Sequence, residues 1–172
     1  VEASLPHAHV FVEKPVATEA RIAVDLFARA RAEGRALLVG HIYQHHPVTK
    51  ALLSEVARHG VPSQMLLTFT NPVVSHREGE DPFFEWIHAF DLFHSVAGAP
   101  VTSLSAWRSG AVAEASLACD NGLRARLNFG WNGIEPVRRL DLVWPDRRIS
   151  CDFRDGILTN ATRGETRKVL PG

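Results

Sequence analysis

The stretch His9-Val10-Phe11-Val12-Glu13-Lys14-Pro15 decides how the chain begins to fold. Its apolar run is short and continuous, which is typical of a strand that is buried on both faces. Pro15 ends that strand, because proline has no backbone N–H to donate to a neighbouring strand. A carboxylate, an amine and a rigid ring therefore stand at the predicted strand end.

A helix and a second strand are predicted to follow. Thr18 is the predicted helix N-cap, apolar residues recur at helical spacing over residues 22–30, and Gly34 is the predicted helix end. Residues 36–40 then form a second continuous apolar run. A helix between two buried strands predicts a parallel βαβ unit.

The rest of the chain changes character as it proceeds. Pro47 and Gly60 predict the two ends of a second helix, and residues 83–97 predict a third. After residue 100, alternating apolar residues flank Asn121-Gly122, a pair that tolerates positive φ at both positions and predicts a β-hairpin. We expect an α/β beginning joined to an α+β body, in which helices cover one face of a mostly antiparallel sheet.

The composition is that of a globular protein. The 172 residues include 19 basic and 19 acidic ones, for a formal net charge of zero, and 45% are hydrophobic. This balance argues against duplex nucleic acid or an anionic membrane as a partner, since both attract basic proteins. Cys119 and Cys151 are too few for a disulfide scaffold, and we expect two buried thiols, with a single bridge as the alternative.

Reactive side chains concentrate in three segments. Glu13-Lys14-Pro15 lies where a parallel strand ends, and open α/β sheets bind ligands at that edge. Gly40-His41-Ile42-Tyr43-Gln44-His45-His46-Pro47 follows the second strand, and its adjacent histidines would point to opposite faces, which does not favour a shared metal ion. In the third segment, residues 86–94, His88 and Asp91 share a helix face.

Together the three segments resemble a known family. The order is a strand ending in Glu-Lys-Pro, a helix, a strand ending in Val-Gly-His-x-Tyr-x-x-x-Pro, and a helix with His-x-x-Asp-Leu and a glycine ten residues after the histidine. This pattern resembles the glucose–fructose oxidoreductase / inositol dehydrogenase (Gfo/Idh/MocA) family from Pro6 to Asn121-Gly122. The Glu-Lys-Pro segment is its most diagnostic part.

The resemblance implies an NAD(P)-dependent oxidoreductase that acts on a sugar, cyclitol or related hydroxyl compound. It implies that residues 1–44 are the last strand–helix–strand of a Rossmann domain, and that residues 45–172 form an α+β domain for substrate binding and dimerisation. A homodimer would form through the antiparallel sheet. The implied cofactor is NAD or NADP, and the implied partner is a small polyol or sugar. We expect no nucleic acid or membrane partner and a cytoplasmic location.

The resemblance also assigns roles to individual residues. Lys14 would be catalytic beside the nicotinamide, and Glu13, Lys14 and Pro15 would contact the cofactor. His88 would exchange a proton with the reacting hydroxyl, which suits a neutral imidazole near pH 7. No metal ion is expected. The implied substrate-binding residues are His41, Tyr43, His45 and Asp91.

The sequence differs from the family pattern at three points. It contains no Gly-x-Gly-x-x-Gly turn, the element that cradles a pyrophosphate at a helix N-terminus. Phe84 stands where the family usually has Asp, four residues before His88, and Gln44 stands where it commonly has Arg. We therefore expect the C-terminal part of a longer enzyme, inactive by itself.

Two other functions stay open. A sugar-binding or dimerisation module of the same family, without redox chemistry, is favoured by Phe84 at the Asp position. A metal-dependent enzyme is the third hypothesis, because nine histidines are many and His88, Asp91 and His94 are the best local ligand set. His88 and His94 are six residues apart, however, and are poorly aligned on one helix.

Overall fold

A computed structural model describes residues 1–73 and 81–169 of the chain. The chain divides into two compact units, Val1–Ile42 and Tyr43–Gly172. The assignment of the two units to nucleotide and substrate binding stays a prediction.

The first unit is a parallel βαβ unit, as the sequence predicted. Strand β1 (Val10–Val12) and strand β2 (Leu37–Val39) pair in parallel, and helix α1 (Ala20–Ala32) connects them. A small apolar core consists of Leu5, Leu26, Ala30 and Leu37.

The prediction that both strands are buried on both faces is wrong. Phe11 of β1 is 66% exposed and Leu38 of β2 is 61% exposed, whereas Leu37 is buried. Only one face of this two-stranded sheet is covered by a helix, so the side chains that alternate to the other face remain exposed. The continuous apolar run therefore predicted the strands correctly and their surroundings incorrectly.

The predicted cap of α1 is also wrong. Glu19, and not Thr18, is the N-cap residue, and no side chain caps this helix end. The predicted end of the helix is confirmed, because Gly34 has a φ of 63° and a chain of L-residues leaves a helix most easily through glycine in that conformation.

The described part of the second unit contains the α-helices α2, α3 and α4. Helix α2 (Pro47–His59) begins and ends where Pro47 and Gly60 predicted. The single helix predicted over residues 83–97 is two helices, α3 (Pro82–Glu85) and α4 (Ile87–Ala97). Trp86 separates them, because its φ of −98° and ψ of 24° interrupt the helical hydrogen-bond ladder.

An eight-stranded, mostly antiparallel sheet forms the body of the second unit, which confirms the predicted fold class. Its strand order is β10-β9-β8-β7-β3-β6-β5-β4. The strands are β3 (Gln64–Pro72), β4 (Val101–Ser109), β5 (Val112–Cys119), β6 (Arg124–Gly133), β7 (Val137–Trp144), β8 (Arg147–Asp152), β9 (Ile157–Asn160) and β10 (Glu165–Lys168).

Strand β3 interrupts the antiparallel order, because it lies between two strands that come much later in the chain. It pairs in parallel with β6, with Gln64 opposite Arg124, and antiparallel with β7, with Gln64 opposite Val143. The sequence did not predict this parallel pair. Alternation of apolar residues predicts which face of a strand is buried, but it does not predict which strand is its neighbour.

The predicted hairpin between β5 and β6 forms, but its turn differs from the prediction. Gly122 has a φ of 89°, whereas no residue other than glycine has a positive φ in the described part of the chain. The N–H of Gly122 donates to Cys119 O, and the N–H of Cys119 donates to Leu123 O. This pattern is that of a three-residue loop, in which only the glycine needs the left-handed conformation.

One face of the large sheet carries the hydrophobic core. Residues of β3, β5, β6, β7 and β8 alternate between this face and the opposite one, and helices α2 and α4 pack on it. Cys119 and Cys151 are free and buried in this core, as predicted. Burial raises the pKa of the Cys151 thiol to about 12. In the described ranges, no helix has the length and apolar character that crossing a membrane requires.

The opposite face of the sheet holds a buried carboxylate, Asp141 of β7. The Ser150 hydroxyl donates to Asp141, Arg139 Nε lies 3.2 Å from Asp141 Oδ2, and Arg148 Nη2 lies 3.1 Å from the same oxygen. Burial by itself would raise the pKa of Asp141, but these donors outweigh burial and hold the pKa below its usual value.

Candidate active site

Tyr43 and His88 pack together in the second unit. Their ring centroids are 5.3 Å apart, and the rings are tilted by 58°. His88 lies in the first turn of α4 and is only 7% exposed. Tyr43 lies in the 3₁₀ helix Ile42–His45, just before α2. Two residues that the sequence assigned to one site, the predicted general base and a predicted substrate contact, are thus in contact.

Arg138 of β7 joins this pair, although no motif in the sequence marks this residue. Arg138 Nε donates to the Tyr43 hydroxyl over 3.2 Å, and its Nη2 donates to Asn71 Oδ1 over 2.7 Å. Its Nη1 donates to the carbonyl oxygens of Thr70 and Val137, both at 2.7 Å. A guanidinium with this many acceptors is fixed in place.

An aromatic cluster surrounds the three polar residues. The Arg138 guanidinium lies 4.4 Å from the ring centroid of Trp86, a distance typical of a cation–π contact. Tyr43 also contacts Phe69 at 5.0 Å and Phe153 at 5.4 Å, between ring centroids. Trp86, Phe69 and Phe153 were not among the predicted site residues. All three are buried in the hydrophobic core of the second unit.

His46 is a second histidine of this cluster. Its Nδ1 accepts a hydrogen bond from Val48 N over 3.2 Å, which caps α2, and its ring lies 5.4 Å from that of Phe153. Burial lowers the pKa of His46, and a backbone hydrogen bond with Phe153 partly opposes that shift. A capping imidazole whose neutral form is favoured has a structural role here.

Asp91 is held by Gln44. The Gln44 side-chain amide donates to Asp91 Oδ1, which links the segment after β2 to the middle of α4. Gln44 occupies the position where the family commonly has Arg, and a neutral amide here replaces a possible ion pair. Asp91 was predicted to bind substrate, and that role stays a prediction.

Most of the other predicted site residues belong to the first unit. Glu13, Lys14, Pro15 and His41 belong to the first unit, where Lys14 and Pro15 are half-buried after β1 and are joined by a cis peptide bond. His45 is exposed. In the first unit the ends of β1 and β2 are close, since a Cβ on Gly40 would lie 3.2 Å from Glu13 Oε2.

Phe84 lies in α3 and is 38% exposed. Phe84 is four residues before His88, but the break at Trp86 separates the two residues, so they do not lie on one continuous helix. A carboxylate at position 84 would therefore not have the regular i, i+4 relationship to the imidazole of His88.

The metal hypothesis finds no geometric support in the part of the chain that the structure describes. No group of three or more His, Cys, Asp or Glu side chains there is arranged to hold a metal ion. Within the predicted set, His88 is buried whereas His94 is exposed on the same helix.

The sheet and helices of the second unit have the architecture of the C-terminal domain of Gfo/Idh/MocA-type oxidoreductases. The structural neighbours of this chain are oxidoreductases of that type, so the family resemblance is confirmed. No family model matches the chain.

A curated relative is UDP-N-acetylglucosamine 3-dehydrogenase from Acidithiobacillus ferrooxidans, which is 29% identical over 172 residues. The match covers 95% of this chain and 54% of the relative, so the chain spans about half the relative's length. The solved structure of that enzyme superposes with a TM-score of 0.85 at 26% identity, covering 95% of this chain and 57% of the enzyme.

Two further structures share the fold alone. One is an oxidoreductase from Agrobacterium radiobacter, solved with NAD+, L-tartaric acid and magnesium (TM-score 0.82, 18% identity, 99% of this chain and 57% of that one). The other is biliverdin reductase from Synechocystis sp. PCC 6803, solved with biliverdin and NADP+ (TM-score 0.78, 20% identity, 95% and 58%). Biliverdin is not a sugar, so the fold does not determine the substrate.

A nicotinamide dinucleotide does not fit the residues of this chain alone. Binding a pyrophosphate in a Rossmann domain requires a glycine-rich turn that leads into a helix N-terminus. The 172 residues contain no such turn, and the first unit offers two strands and one helix. Such a cofactor would need phosphate-binding groups that these residues do not supply.

Proposed function

We propose that this chain is the substrate-binding part of an NAD(P)-dependent oxidoreductase that acts on a hydroxyl group of a sugar, a cyclitol or a sugar nucleotide. The family likeness supports an oxidoreductase, and the dehydrogenase relative supports a sugar-nucleotide substrate. Most of the groups that bind the cofactor would come from outside these 172 residues, which contain no glycine-rich turn. The cytoplasm stays the predicted location.

The contact between His88 and Tyr43, with Arg138 behind it, is the observation that carries this proposal. The buried His88 imidazole would accept the proton of the substrate hydroxyl, a role that histidine fills more often than any other side chain. Arg138 would hold Tyr43, and Tyr43 would keep the His88 ring in one orientation.

Replacing His88 tests this role. In the product of the complete reading frame, His88→Asn should lower kcat with NAD+ and UDP-N-acetylglucosamine by about 10²–10⁴-fold, the usual effect of losing a general base, with a smaller change in KM. His94→Asn, on the exposed side of the same helix, is the matched control and should leave kcat unchanged. Equal kcat values for the two variants would refute the assignment of His88.

Lys14 has a separate test, because its role is implied by the family resemblance. Lys14→Met should also reduce kcat, since a positive charge that stabilises an alkoxide is worth several kcal/mol in a site with little water. Lys50→Met, at an exposed position of α2, is the control. Full activity of Lys14→Met would remove this residue from the proposed mechanism.

A non-catalytic sugar-binding module is the second candidate function. It is favoured by Phe84 and by the Gln44–Asp91 pair, which depart from the family's catalytic pattern. Calorimetric titration of the chain with UDP-N-acetylglucosamine distinguishes the two. Saturable binding combined with no turnover by the complete gene product, over a panel of polyols and both dinucleotides, would favour the module.

We also propose that a homodimer forms through the polar face of the large sheet. Leu66 and Ser116 lie on that face, and every residue of the edge strand β4 is exposed, including Trp107 at 58%. Leu66→Arg should convert a dimer into a monomer in light scattering, whereas Val61→Arg, exposed outside the sheet, should not. A monomeric wild-type chain at high concentration would contradict this proposal.

A further inference from the structure

A cleft lies in the second unit, between the end of α2 and strands β8–β10. Its volume is about 390 Å³, and its lining includes four arginines, Arg58, Arg147, Arg163 and Arg167, against two carboxylates, Glu55 and Glu165. This excess of basic residues stands out in a chain whose net charge is zero. None of these residues belongs to the candidate active site.

Glu55 is the buried anion of this cleft, and cations surround it. Arg58 Nη1 lies 3.1 Å from Glu55 Oε1, Arg167 Nη2 lies 3.3 Å from the same atom, and His59 Nε2 lies 3.4 Å from Oε2. One carboxylate with 11% of its side chain exposed thus faces two guanidinium groups. A single negative charge cannot balance both, so the cleft keeps a positive potential.

Arg147 is fixed in place by two further contacts. Its Nη2 lies 2.9 Å from Asp146 Oδ2, and its Nη1 lies 2.7 Å from His59 Nε2. His59 thus lies between the Glu55 carboxylate and this guanidinium and holds Arg147 against the cleft.

Arg163, in the turn between β9 and β10, carries the argument for a ligand. Arg58 lies in the last turn of α2, where a cation also offsets the helix dipole. Arg163 has no such role, since no carboxylate among residues 1–73 and 81–169 pairs with its side chain. Beneath the arginines, Ile149 and Leu158 are buried and apolar, and an apolar floor of this kind strengthens the charge interactions above it.

The cleft lies at the far end of α2 from the candidate active site. The N-cap residue of α2, His46, packs on Phe153 of the aromatic cluster, whereas His59 in its last turn contacts Arg147. The helix has 13 residues, and so it separates the two places by about 20 Å at 1.5 Å per residue. A ligand in this cleft would not reach His88.

We propose that this cleft binds a diphosphate group, as free pyrophosphate or as part of a nucleoside diphosphate. Guanidinium groups bind phosphate oxygens through paired N–H donors, and several of them around one concave site match a group with more than one negative charge. Two phosphates would pair with Arg147, Arg163 and Arg167 while the carboxylate of Glu55 stays paired with Arg58.

Calorimetric titration of the 172-residue chain with inorganic pyrophosphate tests the proposal at low salt. The expected result is saturable binding of pyrophosphate at one site. The double variant Arg163→Gln/Arg167→Gln should bind about tenfold more weakly or worse, because each lost charge-assisted contact costs a large part of the affinity. Arg154→Gln is the matched control, since that arginine is similarly exposed and also paired with a glutamate. Its affinity should equal that of the wild type.

Three results would overturn the proposal. First, pyrophosphate shows no saturable binding. Second, the control and the double variant weaken the affinity for pyrophosphate equally. Third, binding is lost in Tyr43→Ala and not in the arginine variants. The single variant Arg163→Gln breaks no ion pair, so its effect on binding is readable even if the double variant folds poorly. Competition by UDP would identify a nucleoside diphosphate as the source of the group, and its absence would leave free pyrophosphate. The outcome does not depend on the function proposed for His88.

Discussion

The hydroxyl of Tyr43 accepts a hydrogen bond from Nε of Arg138, a residue 95 positions later in the chain. The contact ties the segment before α2 to strand β7 of the large sheet. Because Tyr43 also packs on His88, one arginine connects three separate parts of the second unit at the point where we place substrate.

Arg138 should therefore contribute to stability as well as to the site. Arg138→Met leaves Asn71 Oδ1 and the Thr70 carbonyl without their donor, and we expect a loss of about 1–3 kcal/mol in the free energy of unfolding. Urea denaturation measures this loss. Arg154→Met, which removes an exposed arginine, should change stability by less than about 0.5 kcal/mol, and similar losses in both variants would contradict the prediction.

Gly130 in β6 should be irreplaceable for a steric reason. Its φ is 152°, and a Cβ at this position would lie 2.3 Å from Ala111 O and 2.8 Å from Val112 Cα, both backbone atoms. We expect Gly130→Ala to cost at least about 2 kcal/mol or to prevent folding. Gly164→Ala is the control, because its φ of 68° is strained but no atom lies within 4 Å, and it should cost about 1–2 kcal/mol. Thermal unfolding of both variants compares them.

Asp141 should make the stability of the sheet depend on acid pH. Its pKa is held below the ordinary value in the folded chain, so its contribution is complete above the unfolded pKa of about 3.9 and disappears as the pH falls through the lower, folded pKa. The difference in stability between wild type and Asp141→Asn should be constant from about pH 5 to 7 and shrink below about pH 4. Denaturation curves at pH 6 and pH 3 test this, and an equal difference at the two values would refute it.

Cys151 should be inert in the native chain. Its thiol is buried and its pKa is about 12, so almost none of it is the nucleophilic thiolate at pH 8. In a Cys119→Ala background, DTNB should not label Cys151 until denaturant unfolds the protein. Rapid labelling of the native variant would show that this part of the core opens readily.

The parts of the fold that the sequence predicted are those that depend on neighbouring residues. Pro47 and Gly60 act on the backbone where they stand, and so they predicted both ends of α2. The same is true of Gly122 in the hairpin and of the βαβ unit around Lys14. Alternation of apolar residues predicted the sheet and its covered face, because burial of side chains has a period of two in a strand.

The parts that the sequence did not predict depend on contacts between distant residues. Arg138 is one of several arginines in alternating strands, and only the register of β7 against β3 brings it to Thr70 and Tyr43. The break at Trp86 has no proline or glycine to mark it. The exposure of Phe11 depends on what covers a sheet face, which a local pattern does not contain. The roles of Lys14, His88 and Asp91 stay predictions until the variants are measured.

The position of β3 has a consequence for how the chain folds as it leaves the ribosome. Its two partners, β6 and β7, are synthesised well after it, so Met65, Leu67 and Phe69 emerge before any strand can pair with them. A sheet whose centre needs contacts between distant segments has a high contact order and folds slowly. The growing chain therefore exposes the apolar side chains of β3 until its partners are made, and we expect chaperone binding to concentrate on this strand.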